Sequence, residues 1–464
     1  LGSNYSRIKT FYKSLIIFIA IILFFTTNNI RSKEYADRMD KEISVKRETR
    51  ESFAAPIPSL DLNKMRLFTG GRHLFRRSWT PAPSSVKSLD GLGPVFNRVS
   101  CSGCHVKDGR GRPPKKDGKF RSMVIKLSRT EKGEIYPDPN YGYQLNDKSI
   151  LGVPFEGKTS INYTVVNQKF DDGASVNLSK PIYSFHSLSF GQLHEDTKSS
   201  GRVAPVVFGL GLIEAIKEED ILKNADPKDI DKDGISGRAH KIIDVPSKNI
   251  MIGKFGWKAT RASLLHHITG AASQDMGLTS NIFPETNCTQ TQKACLEQID
   301  GGDPEISDAQ IERLLVYMQT LAPPRQRRAK EENIIQGQNL FKKVGCENCH
   351  TASYVTGEHP NHPELSNRVI KPYSDFLLHD MGKGLDDEVG EGKAKSYEWK
   401  TPPLWGIGLV KIVNKHTRFL HDGRAKSIEE AILWHEGEGL RAKNNYMSLS
   451  LKNRKKLLDF LNSL

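Results

Sequence analysis

Two short stretches repeat one pattern of reactive side chains: Cys101-x-x-Cys104-His105 and Cys346-x-x-Cys349-His350. A Cys-x-x-Cys pair alone can hold zinc, form a redox disulfide or do nothing; the histidine that follows decides. Thiols at this spacing can add across the two vinyl groups of haem, and the next imidazole then reaches the iron as proximal ligand. Zinc would need further ligands close by, yet these pairs lie in opposite halves of the chain, far beyond the roughly 15–20 residues between the pairs of a zinc ribbon. Neither pair has the strand–helix setting of a thioredoxin-like site. Two covalently attached haem c groups are therefore expected, with Cys101, Cys104, Cys346 and Cys349 as attachment points and His105 and His350 as iron ligands.

For the opposite axial positions, Met276 and Met381 are the first candidates, because both fall in a repeated Asp-Met-Gly. Methionine is also a common core filler. The rivals are His73, His186, His266, His267, His379, His421 and His435. Asp229-x-Asp231-x-Asp233-Gly234 opens like a calcium-binding EF-hand loop, but His240 stands at the twelfth position, where that loop closes on a glutamate. Cys288 and Cys295 remain, and they read as a short-loop disulfide if the chain is exported, or else as two free thiols.

The elements that must position these groups are largely helical. "GGRHLF" precedes the first Cys pair and "GQNLF" the second. Each half closes on a run with apolar residues at helical spacing, "DAQIERLLVYMQTLAPP" (308–324) and "SLSLKNRKKLLDFLNSL" (448–464). The chain runs much farther from His105 to Met276 than from His350 to Met381, so the first half carries a large insertion. Strand-like runs such as "TSINYTVV" and "RVAPVVF" lie within it. The expected fold is mainly α, two cytochrome c-like helical domains, the first with an insertion of loops and short strands. The boundaries are a signal peptide or N-terminal anchor over 1–30, a charged tether over 31–60, a first domain over 61–324 and a second over 325–464.

The chain has 464 residues and a net charge of +14. Its basic residues are scattered and no nucleic-acid-binding signature accompanies them, which argues against that class. A basic surface can equally steer acidic redox partners. Arg7, Lys9 and Lys13 precede the apolar run Leu15–Phe25, the layout of a signal peptide and too short for a membrane-spanning helix. A periplasmic protein is expected, touching the membrane only through its N-terminus if that segment is retained; a homodimer is compatible with the sequence.

Together, "GLGPVFNRVSCSGCHVKDGRG", "GLGLIEAI", "ADPKDIDKDGISGR", "FGWKA", "DMGLTSNIFPE", "HDMGKGL", "EWKTPPLWGIGL" and "FLHDGRAKSIEEAILWHEGE" resemble the di-haem oxidoreductase family of peroxidase-like enzymes, also labelled thiol oxidoreductases. The likeness runs from about Leu67 to Leu464, and its C-terminal part is similar to bacterial di-haem cytochrome c peroxidases. It implies one haem per domain, calcium near the interface, a small periplasmic electron donor and peroxide or another small oxidant as acceptor. One haem would receive electrons and the other would offer an open or displaceable position; the insertion makes the His105 haem the candidate for the reactive one. Glu214, set in an apolar run, is the candidate buried acid with a raised pKa, with Arg202 and His186 behind it. Trp257, Trp399 and Trp405 are candidates for electron transfer. If both methionines bind iron, peroxide has no site unless a ligand leaves. A non-catalytic electron carrier or redox sensor is therefore the alternative, and a partner-binding module in metal uptake a third.

Overall fold

The computed structural model describes residues 40–114, 118, 120–299 and 301–464. The N-terminal segment 1–30 and the first part of the expected tether, 31–39, lie outside the described residues. The rest of that expected tether is packed in part: residues 46–50 are exposed, but Phe53 and Ile57 are buried in the core of the first half, and Pro56 bridges to Leu321. A few apolar anchors hold this stretch in place despite its many charges.

The same helix pair frames each half. In the first, α1 (Leu62–Arg76) packs on α5 (Asp308–Thr320); in the second, α6 (Glu332–Lys343) packs on α9 (Leu451–Ser463). α1 starts where the Asp61 carboxylate accepts the N–H groups of Asn63 and Lys64 at 2.8 and 2.9 Å, and α5 starts on a Ser307/Gln310 capping box. Both pairs touch at a glycine. A Cβ at Gly71 would fall inside the carbonyl of Arg313, and one at Gly337 inside the carbonyl of Lys456. The terminal helices anticipated from periodicity are present, and each is shorter than its apolar run.

Between these frames lie α2 (Cys101–Cys104), α3 (Leu210–Glu214), α4 (Leu264–Met276), α7 (Ile428–Leu433) and α8 (Leu440–Met447). The fold is mixed rather than mainly α, at 30% helix and 19% strand. Much of the strand content belongs to the insertion. There β1 (Met123–Glu131) pairs antiparallel with β2 (Glu134–Tyr136), β3 (Gln144–Leu145) and β6 (Lys198–Val203). A long ribbon, β4 (Lys158–Lys169) with β5 (Ser175–His186), contains the "TSINYTVV" run; of "RVAPVVF" only the first two residues are strand. In the second half β7 (Leu378–Asp380) pairs with β8 (Glu398–Lys400), setting His379 opposite Trp399.

Two large apolar clusters follow the halves only roughly. The first takes in Leu365, Phe376 and Trp405 from the second half, and the second takes in Phe170 and Leu178 from the ribbon. At the ribbon's tip Arg454 of α9 pairs with Asp172 at 2.6 Å and lies 4.2 Å above the Phe170 ring.

Candidate functional site

Each Cys-x-x-Cys-His forms one tight turn, closed by a bond from the histidine N–H to the carbonyl of the first cysteine, at 3.0 Å in the first motif and 2.9 Å in the second. His105 Nδ1 donates to the Pro205 carbonyl at 2.7 Å, and His350 Nδ1 donates to the Tyr373 carbonyl at 2.9 Å. A carbonyl can only accept, so both rings carry the proton on Nδ1 and present the Nε2 lone pair, the tautomer that ligates a metal. Burial lowers the proton affinity of both rings, that of His350 to about 4, and keeps them neutral. Phe75 and Phe341, both from the first helix of their frame, sit 6.1 and 6.2 Å from these rings.

The four motif cysteines are unbonded, whereas Cys288 and Cys295 form the expected disulfide. Burial pushes the Cys101, Cys104 and Cys346 thiols up to about 12. A redox dithiol needs the opposite shift, so the environment suits attachment points rather than an exchanging pair.

A second repeat is visible only in three dimensions. Phe255 bridges Arg261 and Phe419 bridges Ala425, each closing a seven-residue turn through an N–H···O=C bond of 2.9 Å. Two residues later Ser263 caps α4 by accepting from His266 N–H, and Ser427 caps α7 by accepting from Glu430 N–H. In this register Trp257 matches His421 and His267 matches Ala431, while His435 falls one helical turn after Ala431. The Asp-Met-Gly copies do not share a setting. Met276 ends helix α4, whereas Met381 follows strand β7.

All of this converges on one cavity of about 790 Å³, lined by both Cys-x-x-Cys-His motifs, within the usual range for cofactor sites of ~300–1,000 Å³. Met276, Met381, His267, His379, His421 and His435 line it; His73, His186 and His266 do not. His267 and His105 are near enough for each charge to disfavour the other, and so are His435 and His350. Trp257, Trp399 and Trp405 line the cavity too, and Trp399 stacks on His421 at 3.7 Å.

The residues fit haem. Among the described residues Arg98 Nη2 and Trp405 Nε1 are buried in this lining without a hydrogen-bond partner. Lys400 is 7% exposed, lines the same space, and its ammonium donates only a long 3.4 Å bond to the Thr401 carbonyl. Buried donors left open in this way suit the carboxylates of a bound cofactor.

The acidic candidates are rearranged. Glu214 does not line the cavity; burial opposes its charge, but His359, the Leu264 N–H and Gln319 outweigh that and hold its carboxyl below the ordinary range, opposite to the expected rise. Arg202 lies behind the lining, paired with Asp387 at 2.5 Å and 4.5 Å above the Trp399 ring. His186 is exposed at the end of β5. The acid that does line the cavity near the first motif is Asp275, bonded through Oδ1 to Gln144 Nε2 at 2.8 Å and close enough to add to the burial that raises Cys101 and Cys104. It adjoins Met276, so Asp-Met-Gly marked it all along. Beside the second motif His379 lies between Asp375 at 2.8 Å and Glu438 at 2.6 Å. At the calcium-like turn the converging carboxylates are Asp226, Asp229 and Asp231, while Asp233 belongs to the cavity lining.

Two turns with the spacing of haem-attachment motifs, each with an oriented imidazole and both on one cavity, are what a di-haem protein requires. The chain belongs to the family described as di-haem oxidoreductase, putative peroxidase, which it matches over residues 40–464. Membership implies two haems and an oxidoreductase of peroxidase type. No curated protein matches the chain.

Proposed function

We propose that the protein is an exported di-haem peroxidase that passes electrons from a small periplasmic donor, through the haem at His350, to a reactive haem at His105. The observation that carries this reading is the single cavity lined by both motifs. Haem bound there would supply stored electrons and, at an open iron position, cleavage of the peroxide O–O bond. The protein's own groups then have separable roles. Asp275 would move a proton between the peroxide oxygens. His267 or Met276 would help His105 hold the first haem, and Met381 or His435 would help His350 hold the second. Trp257 and Trp405 would bridge the space between the two sites. Residues 61–324 and 325–464, each with the same helix frame, would be the two cytochrome c-like units.

Electrons would enter beside the second motif, where exposed Lys342, Lys343 and Arg441 line the cavity mouth and suit an acidic donor. Export is supported by the basic and apolar N-terminal run and by the Cys288–Cys295 disulfide, which persists in an oxidising compartment. Asp226, Asp229 and Asp231 would be the calcium ligands if that turn takes the ion, which a calcium-dependent rise in melting temperature would reveal.

Electron paramagnetic resonance of the oxidised and half-reduced holoprotein tests the central reading. A high-spin iron in the half-reduced state is expected. Low-spin ferric signals alone, from two irons when oxidised and one when half-reduced, would favour the carrier or sensor, for which the surplus of histidines and methionines in the cavity is the supporting observation.

A further inference from the structure

Glu214 has a different occupation from the one its apolar surroundings suggest. Its Oε1 accepts the N–H of Leu264, at 2.7 Å. Leu264 is the first residue of α4, the helix that carries His267 and Met276 to the cavity. First-turn N–H groups have no partner within their helix, and a carboxylate there satisfies one while complementing the helix dipole.

The other oxygen looks toward the second half. Glu214 Oε2 accepts from Gln319 Nε2 at 2.6 Å and lies 3.4 Å from His359 Nε2. An ionised carboxylate can only accept, so the amide of Gln319 must turn its NH2 to Glu214 and its carbonyl away. That carbonyl, Oε1, meets His362 Nε2 at 3.0 Å, which fixes the imidazole as the donor. The far side of the ring, Nδ1, lies 3.0 Å from Glu364, which in turn takes Lys64 of α1 at 2.8 Å. His359, His362 and Gln319 are all buried. From His362 through Gln319 and Glu214 to Leu264 each link fixes the direction of the next, joining a loop after the second Cys-x-x-Cys-His to the start of the helix that faces the first.

We propose that Glu214 is a positioning residue for the first haem site, and that the Gln319–His362 arm lets the second half of the chain set the placement of the helix bearing His267. This rests on reading His105 as a haem ligand. The arm links the two halves without entering the cavity, and its hydrogen bond to the helix that bears the distal residues is made to the α4 backbone. It is also directional: replacing Gln319 by an apolar side chain leaves Glu214 and His362 each short of one partner.

The test is paramagnetic resonance and potentiometry of the full holoprotein, with the two haem signals assigned from variants lacking one attachment site. Gln319→Leu and His362→Leu should each shift the g-values and midpoint potential of the first haem and leave the second haem's signal at wild type. The His362 result matters most, because the altered residue lies in the half that attaches the other haem. Glu214→Gln, which keeps an acceptor for Leu264, should shift the first haem less than Glu214→Ala. An unchanged first-haem signal in His362→Leu would overturn the proposal. So would equal shifts of both haems with a lowered melting temperature, the mark of general loosening. If the leucine variants fail to fold, the Glu214→Gln and Glu214→Ala comparison decides, and equal first-haem shifts in those two count against it. Fewer than two haems in the wild-type protein, counted by pyridine haemochrome, would instead overturn the reading beneath it.

Discussion

The two haem-attachment halves are alike where backbone meets backbone and unlike where side chains meet the cavity. Gly71 and Gly337 press their helices onto the same kind of partner, and a main-chain carbonyl orients each proximal imidazole. The turn-and-cap unit at Phe255–Ser263 recurs at Phe419–Ser427. Facing the cavity, however, the first half presents His267 and Asp275, while the second presents His435 and the His379–Glu438 pair. A frame built on backbone contacts tolerates exchange of the groups it displays. The two halves thus share the attachment turn and differ on the face opposite it.

That contrast can be broken most directly at the attachment sites. Replacing both Cys101 and Cys104 by serine should halve the haem count and abolish peroxide turnover, whereas the same change at Cys346 and Cys349 should halve the haem count and abolish only donor-driven turnover. Stoichiometry by pyridine haemochrome and assays with donor or with chemically reduced protein distinguish the two. Next in size, Asp275→Asn should lower peroxide turnover by about 10²-fold with both haems retained. Asp380→Asn, at the matching tripeptide, should change it by less than a few-fold; equal losses would erase the proposed division of labour.

The shared frame should fail symmetrically. Gly71→Ala and Gly337→Ala each force a methyl group into a carbonyl of the packed helix, an overpacking worth about 1–3 kcal/mol. Thermal melts followed in the Soret band should show similar drops for the two, and a drop for one alone would show that the frames are not equivalent.

The smallest effect concerns Glu156, a group of the insertion. Burial pushes its carboxyl up to about 8, so the folded chain holds a proton that the unfolded chain releases in the ordinary carboxylate range. Its contribution to stability is complete at acidic pH and declines as pH rises toward 8. The melting temperature of the wild type relative to Glu156→Gln should therefore fall between pH 5 and 8; a constant difference would refute the assignment.

The haem motifs and the disulfide were legible in the sequence because their chemistry is set by spacing within a few residues. The closing helices α5 and α9 were legible because their apolar stripes repeat at helical intervals. The turn-and-cap repeat was hidden because its common features are a backbone bridge and one serine, while the residues it displays differ, as with Trp257 against His421. Asp-Met-Gly pointed to two methionines that both line the cavity, but identical letters hid different settings, a helix end in one half and a position after a strand in the other. Glu214 was misjudged because its partners, His359 and Gln319, are distant in the chain and invisible to any local pattern. The packing of residues 53–57 was missed because a high density of charge masked Phe53 and Ile57.

The ribbon β4–β5 has a consequence for how the molecule can be taken apart. Its tip reaches the last helix through Phe170 and Asp172, while Leu365, Phe376 and Trp405 complete the core of the other half. The halves are therefore not interchangeable cassettes. A cut after residue 324 would leave a C-terminal piece with an uncovered socket at Arg454 and an N-terminal piece missing part of its own interior. The molecule is one part rather than two, stitched crosswise by the ribbon of its first half.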